Sequence, residues 1–151
     1  MDVEKWLVQK DEGDFAAIIK KSNEYTGQFG LKLSEEDAAL LLTERLNILK
    51  KQERVEFGEG ILPKLIFAFC DSPFVYQENY TDTLGRLQEI FYLYKNETLD
   101  EIPDDELIEF MKKQFDGPCQ GSVDYLEETV LEAYARESRS GHHESGDEDE
   151  I

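Results

Sequence analysis

The clearest pattern in the chain is a short apolar run at residues 61–70, which glycines precede and Asp71-Ser72-Pro73 follows. Seven of the nine residues from Ile61 to Phe69 are apolar, and at helical spacing they fall on every side of a helix. A helix that is apolar all round must be buried, and one this short cannot cross a bilayer, which takes about 20 residues. Pro63 should lie in the first turn of this helix, where its missing amide costs nothing. The run therefore predicts the central helix of an all-α domain, with other helices packed around it.

Apolar residues at helical spacing predict further helices on both sides of this central one. Ser34 marks a helix start, because its side chain can accept a backbone amide of the first turn and three acids follow it. That helix should end near Gln52, with an inward stripe of Ala38, Leu41, Leu42, Leu46 and Leu49. Three later helices should start at Asn79, Pro103 and Ser122, with Asn79 and Ser122 as caps, and Gly85 fits a close helix crossing. The helix after Pro103 should have an inward stripe of Leu107, Phe110, Met111 and Phe115.

The first 27 residues carry two apolar groups, which Asp11-Glu12-Gly13-Asp14 separates. Val3, Trp6 and Leu7 fall on one side of a short helix over residues 1–10. The second group, again at helical spacing, is Phe15, Ile18, Ile19 and Tyr25. The pattern does not decide whether residues 3–27 form one kinked helix or two.

Taken together, these elements predict a single all-helical domain over residues 1–139, which is an ordinary length for one domain. We expect a bundle of five to six helices around the buried helix at 61–70, since the sequence contains no convincing strand and no repeat of solenoid period. Residues 140–151 are polar, acidic and unpatterned, so they predict a disordered tail.

The chain is strongly acidic, with 35 Asp and Glu against 16 Lys and Arg and a formal charge of -19. The tail holds five of the acids, so residues 1–139 still carry about -14. A field of this sign repels phosphate backbones and anionic lipid, and we therefore expect neither nucleic acid nor membrane as a partner. The negative charge is consistent with high solubility, or with a protein partner that has a basic surface.

The start of the chain has no basic region followed by an apolar run, so no signal peptide is predicted. Cys70 and Cys119 lie far apart in the sequence, which favours free thiols in a reducing compartment. The expected location is the cytoplasm.

Residues suited to catalysis or metal binding are sparse. His142 and His143 are the only histidines and lie in the predicted tail, so the folded part lacks the imidazole that nucleophilic triads need. The cysteines and histidines do not have zinc-site spacing. Gly58-Glu59-Gly60 matches no phosphate-binding fingerprint and is better interpreted as a structural turn. We expect no catalytic residue, metal or cofactor, and the sequence favours a non-enzymatic role without deciding it.

Two cysteine-containing turns form the candidate ligand or thiol site. Cys119 should lie just before a helix start, where the dipole stabilises a thiolate, although Asp116 has the opposite effect. If the two turns meet in space, they share one cleft, and if they do not, each is a tight turn with a partly buried thiol. The residues of this candidate site are Cys70, Asp71, Ser72, Asp116, Cys119, Gln120 and Ser122.

Aromatic residues are frequent in the middle of the chain, and most of them should belong to the core. An exposed aromatic patch among them would mark a protein-binding surface. The residues are Phe67, Phe69, Phe74, Tyr76, Tyr80, Phe91, Tyr92 and Tyr94.

Several segments carry a family resemblance. They are Phe57-Gly58-Glu59-Gly60-Ile61-Leu62-Pro63-Lys64-Leu65-Ile66, Phe69-Cys70-Asp71-Ser72-Pro73, Gln77-Glu78-Asn79-Tyr80, Leu107-Ile108-Glu109-Phe110-Met111, Phe115-Asp116-Gly117 and Cys119-Gln120-Gly121-Ser122. Over most of residues 30–135 the chain resembles an uncharacterised bacterial family of small helical domains, associated with Firmicutes. The resemblance implies a source but no activity, cofactor or partner.

The sequence thus predicts a small, non-enzymatic, cytoplasmic helical protein that acts by binding another protein or itself. The alternative is a small-molecule-binding or thiol-dependent protein that uses a cleft near Cys70 and Cys119.

Overall fold

The computed structural model describes residues 16–56 and 60–130, with side chains up to residue 128. These parts contain six helices and no strand, which confirms the all-α class. The helices are α1 (16–26), α2 (Glu35–Gln52), α3 (Leu62–Phe69), α4 (Tyr80–Glu97), α5 (Asp104–Asp116) and α6 (Val123–Tyr125), which continues as a π-helical segment, Leu126–Val130. The predicted helix over residues 1–10, the Gly58-Glu59 turn and the predicted tail lie outside the described residues.

The helices belong to two compact units. The first extends to Glu89 and contains α1, α2, α3 and the first half of α4. The second begins at Ile90 and contains the rest of α4 with α5 and α6. The single domain over residues 1–139 stays a prediction.

Helix α2 begins and ends where the sequence predicts. Ser34 Oγ accepts a hydrogen bond from Asp37 N, and Ser34 N donates to Asp37 Oδ2, each at 3.0 Å. This reciprocal capping satisfies two amides that the first turn would otherwise leave open. At the other end, Glu53 takes a left-handed conformation with φ of 57° and stops the helix after Gln52.

Helix α3 lies in the first unit and is buried on one side, not on every side as predicted. Its inward face is fully covered, and Pro63 lies in its first turn as predicted. The prediction of burial all round is wrong at Phe67, which is 53% exposed, and at Lys64, which is exposed. The buried residues are Leu62, Leu65, Ile66 and Phe69, each worth about 1.5–3 kcal/mol relative to exposure.

Helix α4 starts differently from the prediction. A 3-10 turn, Gln77–Asn79, leads directly into it. The Asn79 side chain reaches backwards, accepting a hydrogen bond from Tyr76 N at 2.9 Å and donating one to Phe74 O at 3.1 Å. The predicted role of Asn79 as the cap of α4 is therefore wrong, because its amide group caps the preceding turn instead.

The loop between α1 and α2 is fixed by side chains that imitate backbone pairing. Asn23 donates to Leu33 O at 2.8 Å and accepts from Leu33 N at 2.9 Å. Gln77, from much later in the chain, accepts from Lys32 N at 2.8 Å and donates to Lys32 O at 3.0 Å. These contacts, together with the buried Leu31, hold α1 beside the start of α2.

A buried ion pair connects α2 to the start of α3. Arg45 Nε donates to Glu56 Oε1, and their side chains are only 10% and 4% exposed. Glu56 Oε2 also accepts from Ile61 N at 3.0 Å, next to the first turn of α3. Arg45 thus takes an inward position, while Leu46, predicted to be inward, is 38% exposed.

In the second unit, α5 contacts the π-helical segment that continues α6. Leu107, Met111 and Phe115 are fully buried, as predicted, whereas Phe110 is half-buried. The buried Tyr94 hydroxyl donates a hydrogen bond to Leu126 O at 3.0 Å. Lys95, from the same helix, donates to Ile102 O at 2.7 Å and forms an ion pair with Asp104 at 2.9 Å. Lys95 therefore connects α4 to the loop before α5 and to the first residue of α5.

We expect Arg45→Met to destabilise the fold by about 3–5 kcal/mol, because it removes the guanidinium that pairs with the buried Glu56 carboxylate. Urea unfolding followed by circular dichroism measures this loss. Arg45→Met combined with Glu56→Gln should recover much of it, since the amide is neutral and can still accept from Ile61 N. Lys50→Met, on the exposed side of α2, is the control. An Arg45→Met midpoint equal to that of Lys50→Met would contradict the role of the pair.

Candidate functional site

Three aromatic side chains of the first unit contact one another at the surface. We call them the aromatic cluster: Tyr25 of α1, Phe29 of the following 3-10 turn and Phe67 of α3. The Tyr25 ring centroid lies 4.9 Å from that of Phe67 and 5.9 Å from that of Phe29. The three side chains remain 44%, 40% and 53% exposed. The cluster is therefore a packed but open apolar surface.

The local sequence explains why these rings face outward. In α1 the buried positions are Ile19, Ser22 and Thr26, and Tyr25 lies beside that face rather than on it. The Gly27–Phe29 turn ends at Gly30, whose φ of 78° suits a residue without Cβ and returns the chain to the core. Helix α3 then presents Phe67 on its open side.

Helices α1 and α2 also enclose an apolar groove of about 640 Å³, the α1–α2 groove. Alanines line it from both helices, namely Ala16 and Ala17 on α1 and Ala38 and Ala39 on α2. Their short side chains leave the space between the helices unfilled. Larger aliphatic residues and two lysines complete the lining, namely Ile19, Leu33, Leu42, Lys20 and Lys32.

A second cavity, of about 440 Å³, lies between α2 and α4 and is polar. Glu89 in this α2–α4 cleft pairs with both Lys51 and Arg86, each at 3.7 Å. Glu44 lies against Gly85 so closely that a Cβ there would overlap its carboxylate. The group that approaches Gly85 is therefore the side chain of Glu44, and the close helix crossing expected there stays a prediction.

The surroundings of the Glu44 carboxylate are unfavourable to charge. Its Oε1 atom is buried and has no hydrogen-bond partner in the described residues. Burial raises the pKa of Glu44, and the negative charges of Asp82 and Glu89 raise it further. A raised carboxyl pKa is common in functional clefts but also arises in structural charge networks, and Lys51 and Arg86 make this cleft such a network.

The first half of the predicted thiol site closes α3 in the first unit. Cys70 is 2% exposed, and its Sγ lies 3.6 Å from Phe67 O as a weak donor. Ser72 is buried and its Oγ accepts from Phe74 N at 3.1 Å, while Asp71 is exposed. These contacts are those of a structural turn.

The second half lies between α5 and α6 in the second unit. Asp116 pairs with Lys112 at 3.4 Å, and Ser122 Oγ caps α6 by accepting from Tyr125 N at 3.1 Å, as predicted. Gln120 is exposed and takes a left-handed conformation with φ of 48°. Cys119 is 4% exposed, and burial raises its pKa.

This environment opposes the thiolate that a helix start favours, because the neutral thiol is the form that tolerates burial. The two cysteines belong to different units, and a cleft shared by both remains a prediction.

No group of three or more histidine, cysteine, aspartate or glutamate residues within 16–56 and 60–130 is arranged to hold a metal ion. In the same part of the chain, none of the helices combines the length and apolar character needed to cross a membrane.

The raised pKa of Glu44 predicts a pH-dependent cost to stability. The folded chain binds this proton more tightly than the unfolded chain. The free energy of unfolding therefore falls as the pH rises from 4.5, the ordinary pKa of the carboxyl group, through its higher pKa in the folded protein. We expect Glu44→Gln to raise the melting temperature at neutral pH, and the gain should shrink below that value, where the wild-type carboxyl is also neutral. Glu24→Gln, an exposed change on α1, is the control. A gain that does not change with pH would contradict this assignment.

The burial of Cys119 predicts slow alkylation. At neutral pH iodoacetamide should modify Cys119 in the folded protein many times more slowly than in urea, because the sulfur is covered and its pKa is raised. Mass spectrometry of the cysteine peptides measures each rate separately. Modification of the folded protein at the rate of a free thiol would revive the thiol-dependent alternative.

Residues 18–144 match a protein family described as a family of unknown function, DUF6323. The searches of curated proteins and of solved structures found no match. The matched range contains all the segments that carried the resemblance to an uncharacterised family, and the bacterial source stays a prediction. Because the match covers more than half of the chain, the protein belongs to the DUF6323 family of unknown function.

Proposed function

We propose that this chain is a small, non-enzymatic helical protein of the cytoplasm that acts by binding another protein, and that the aromatic cluster is the centre of the contact. The observation that supports the proposal is the exposure of three mutually packed rings, at 44%, 40% and 53%. Tyrosine and phenylalanine are enriched in interface centres relative to the rest of a protein surface.

The cluster can supply useful binding energy. An aromatic side chain buries about 150–250 Å² when it is fully covered, and each Å² of apolar surface gives about 25 cal/mol. Covering the remaining half of one ring therefore contributes about 2 kcal/mol, which is the level of an interface hot spot. The contacts between the rings reduce the side-chain entropy that binding would cost.

The net charge indicates the chemistry of the partner. The chain has a formal charge of -19, and a field of this sign attracts basic proteins and accelerates their association. Two copies of a chain with a formal charge of -19 repel each other, so the charge favours a different, basic protein over self-association.

The test compares Phe67→Ser with Leu40→Ser, which removes an apolar side chain that is 47% exposed on α2 and lies outside the cluster. A partner captured from native lysate is purified and its affinity for each variant is measured by calorimetry. We expect Phe67→Ser to weaken binding about thirtyfold, the equivalent of about 2 kcal/mol. Leu40→Ser should bind as the wild type does.

Ionic strength provides a second readout, because salt screens attraction between an acidic chain and a basic partner. The affinity should fall as salt is added, while the ratio between wild type and Phe67→Ser stays constant. Circular dichroism verifies that both variants fold. A partner that binds Phe67→Ser as tightly as the wild type, or a protein that captures no partner, would contradict the proposal.

A further inference from the structure

We propose that the α1–α2 groove binds a fatty acid, a monocarboxylate with an unbranched apolar chain, whose head lies at Lys20 and Lys32 and whose chain lies along the alanines. This inference concerns a different surface from the aromatic cluster and does not depend on the proposed function. It rests on the size of the groove, on the order of its lining residues and on the charges at its rim.

The groove has the size and the lining of a small-molecule site. Its volume of about 640 Å³ lies within the range of about 300–1,000 Å³ that is usual for ligand pockets. Buried aliphatic side chains form its floor, namely Ile19, Leu33, Ala38 and Leu42, and exposed alanines line its opening, namely Ala16, Ala17 and Ala39. An apolar chain that lies along this floor is removed from water over its length, which is the main source of affinity for such a ligand.

The lining changes from polar to apolar along the groove. At one end, Asn23 of α1 exchanges two hydrogen bonds with the backbone of Leu33, which holds the end of α1 against the start of α2. From there the lining extends back to Ala16 on α1 and forward to Leu42 on α2, over about 10 Å of each helix. The charged side chains lie towards the first end, and apolar side chains line the far end. A ligand that matches this order has a polar head and an apolar tail.

The charges at the polar end indicate an anionic head. Lys20 and Lys32 line this end together with Glu35, which gives the described lining a net positive charge. Both lysines are exposed, so their ammonium groups can reach a carboxylate at the rim. The neutral polar side chains already have partners in the fold, since Asn23 pairs with Leu33 and Ser34 Oγ accepts from the backbone of α2. Recognition of the head therefore depends on the lysines.

The formal charge of -19 does not prevent a monoanion from binding here. At physiological salt, exposed charges are screened beyond about 8 Å, so the two lysines dominate the potential at the rim. They cannot offset the repulsion between this chain and a surface that carries many negative charges. The ligand is therefore a free fatty acid and not the anionic lipid of a membrane.

The test of the head compares decanoate with decanol, which has the same chain without the charge, by calorimetry on the full chain. The wild type should bind one decanoate molecule. Lys20→Gln and Lys32→Gln should each weaken decanoate binding about threefold, the size of an exposed charge contact, and leave decanol binding unchanged. Glu35→Gln should strengthen decanoate binding by a similar factor, because it removes a negative charge from the rim.

The test of the groove is Ala39→Phe, which places a ring in the opening and should weaken the binding of both ligands severalfold. Thr43→Phe is the matched control, because Thr43 is an exposed residue of α2 outside the groove. Ala17→Phe should repeat the loss from the opposite helix, and circular dichroism verifies that these variants fold. Phe67→Ser should bind decanoate as the wild type does, which separates this inference from the proposed function.

Three results would overturn the proposal. The first is a wild type that does not bind decanoate, or that binds it no more tightly than Ala39→Phe does. The second is an equal loss of decanol and decanoate binding in the lysine variants, since the head would then not be recognised by its charge. The third is a wild-type dimer in light scattering that Ala39→Phe dissociates, which would place a second copy in the groove.

Discussion

The first unit depends on one buried interaction, the ion pair between Arg45 and Glu56. Because Glu56 also accepts from Ile61 N, the pair fixes the start of α3 against the middle of α2. Helix α3 in turn carries Phe67, the ring that joins the aromatic cluster from outside α1. The buried ion pair therefore fixes the position of the helix that contributes Phe67 to the exposed aromatic cluster.

Helix α2 is the shared wall of both cavities. At 3.6 residues per turn, its groove-lining positions Glu35, Ala38, Ala39 and Leu42 fall on the opposite side from Glu44, Asn47, Ile48 and Lys51, which line the α2–α4 cleft. Leu41 and Arg45, between these two sides, are buried. One helix thus separates an apolar cavity from a polar one, and its own sequence changes character from one side to the other.

The sequence alone was sufficient for features governed by local chemistry. At Ser34 and Ser122 the serine side chain caps the helix that follows it. Pro63 fits the first turn of α3 because it has no amide hydrogen to satisfy. Neighbouring residues therefore determine where these helices begin. Which side of a helix stays exposed, by contrast, is decided by tertiary packing. Phe67 is apolar like most of α3, and the local sign of an open side is the charged Lys64, which lies three residues earlier on the same helix side and is also exposed.

The same limit explains why Arg45 is buried while Leu46, predicted to be inward, is exposed. An inward arginine contradicts a hydrophobic stripe unless its partner is known, and that partner lies eleven residues away beyond the end of the helix. For Cys119 the local signal, a helix start, and the tertiary signal, burial, have opposite effects on the pKa, and the sequence displays only the first. The aromatic cluster was missed for a related reason, since it combines rings from two separate helices and a turn.

The pairing of Gln77 with both backbone groups of Lys32 has a consequence for the order of folding. A ribosome releases the loop after α1 long before it releases residue 77, so this loop lacks two of its anchors while α2 and α3 are being synthesised. The nascent chain can form its helices early, yet the loop acquires its final pairing only when the start of α4 emerges. The final pairing of this loop therefore forms no earlier than the emergence of Gln77.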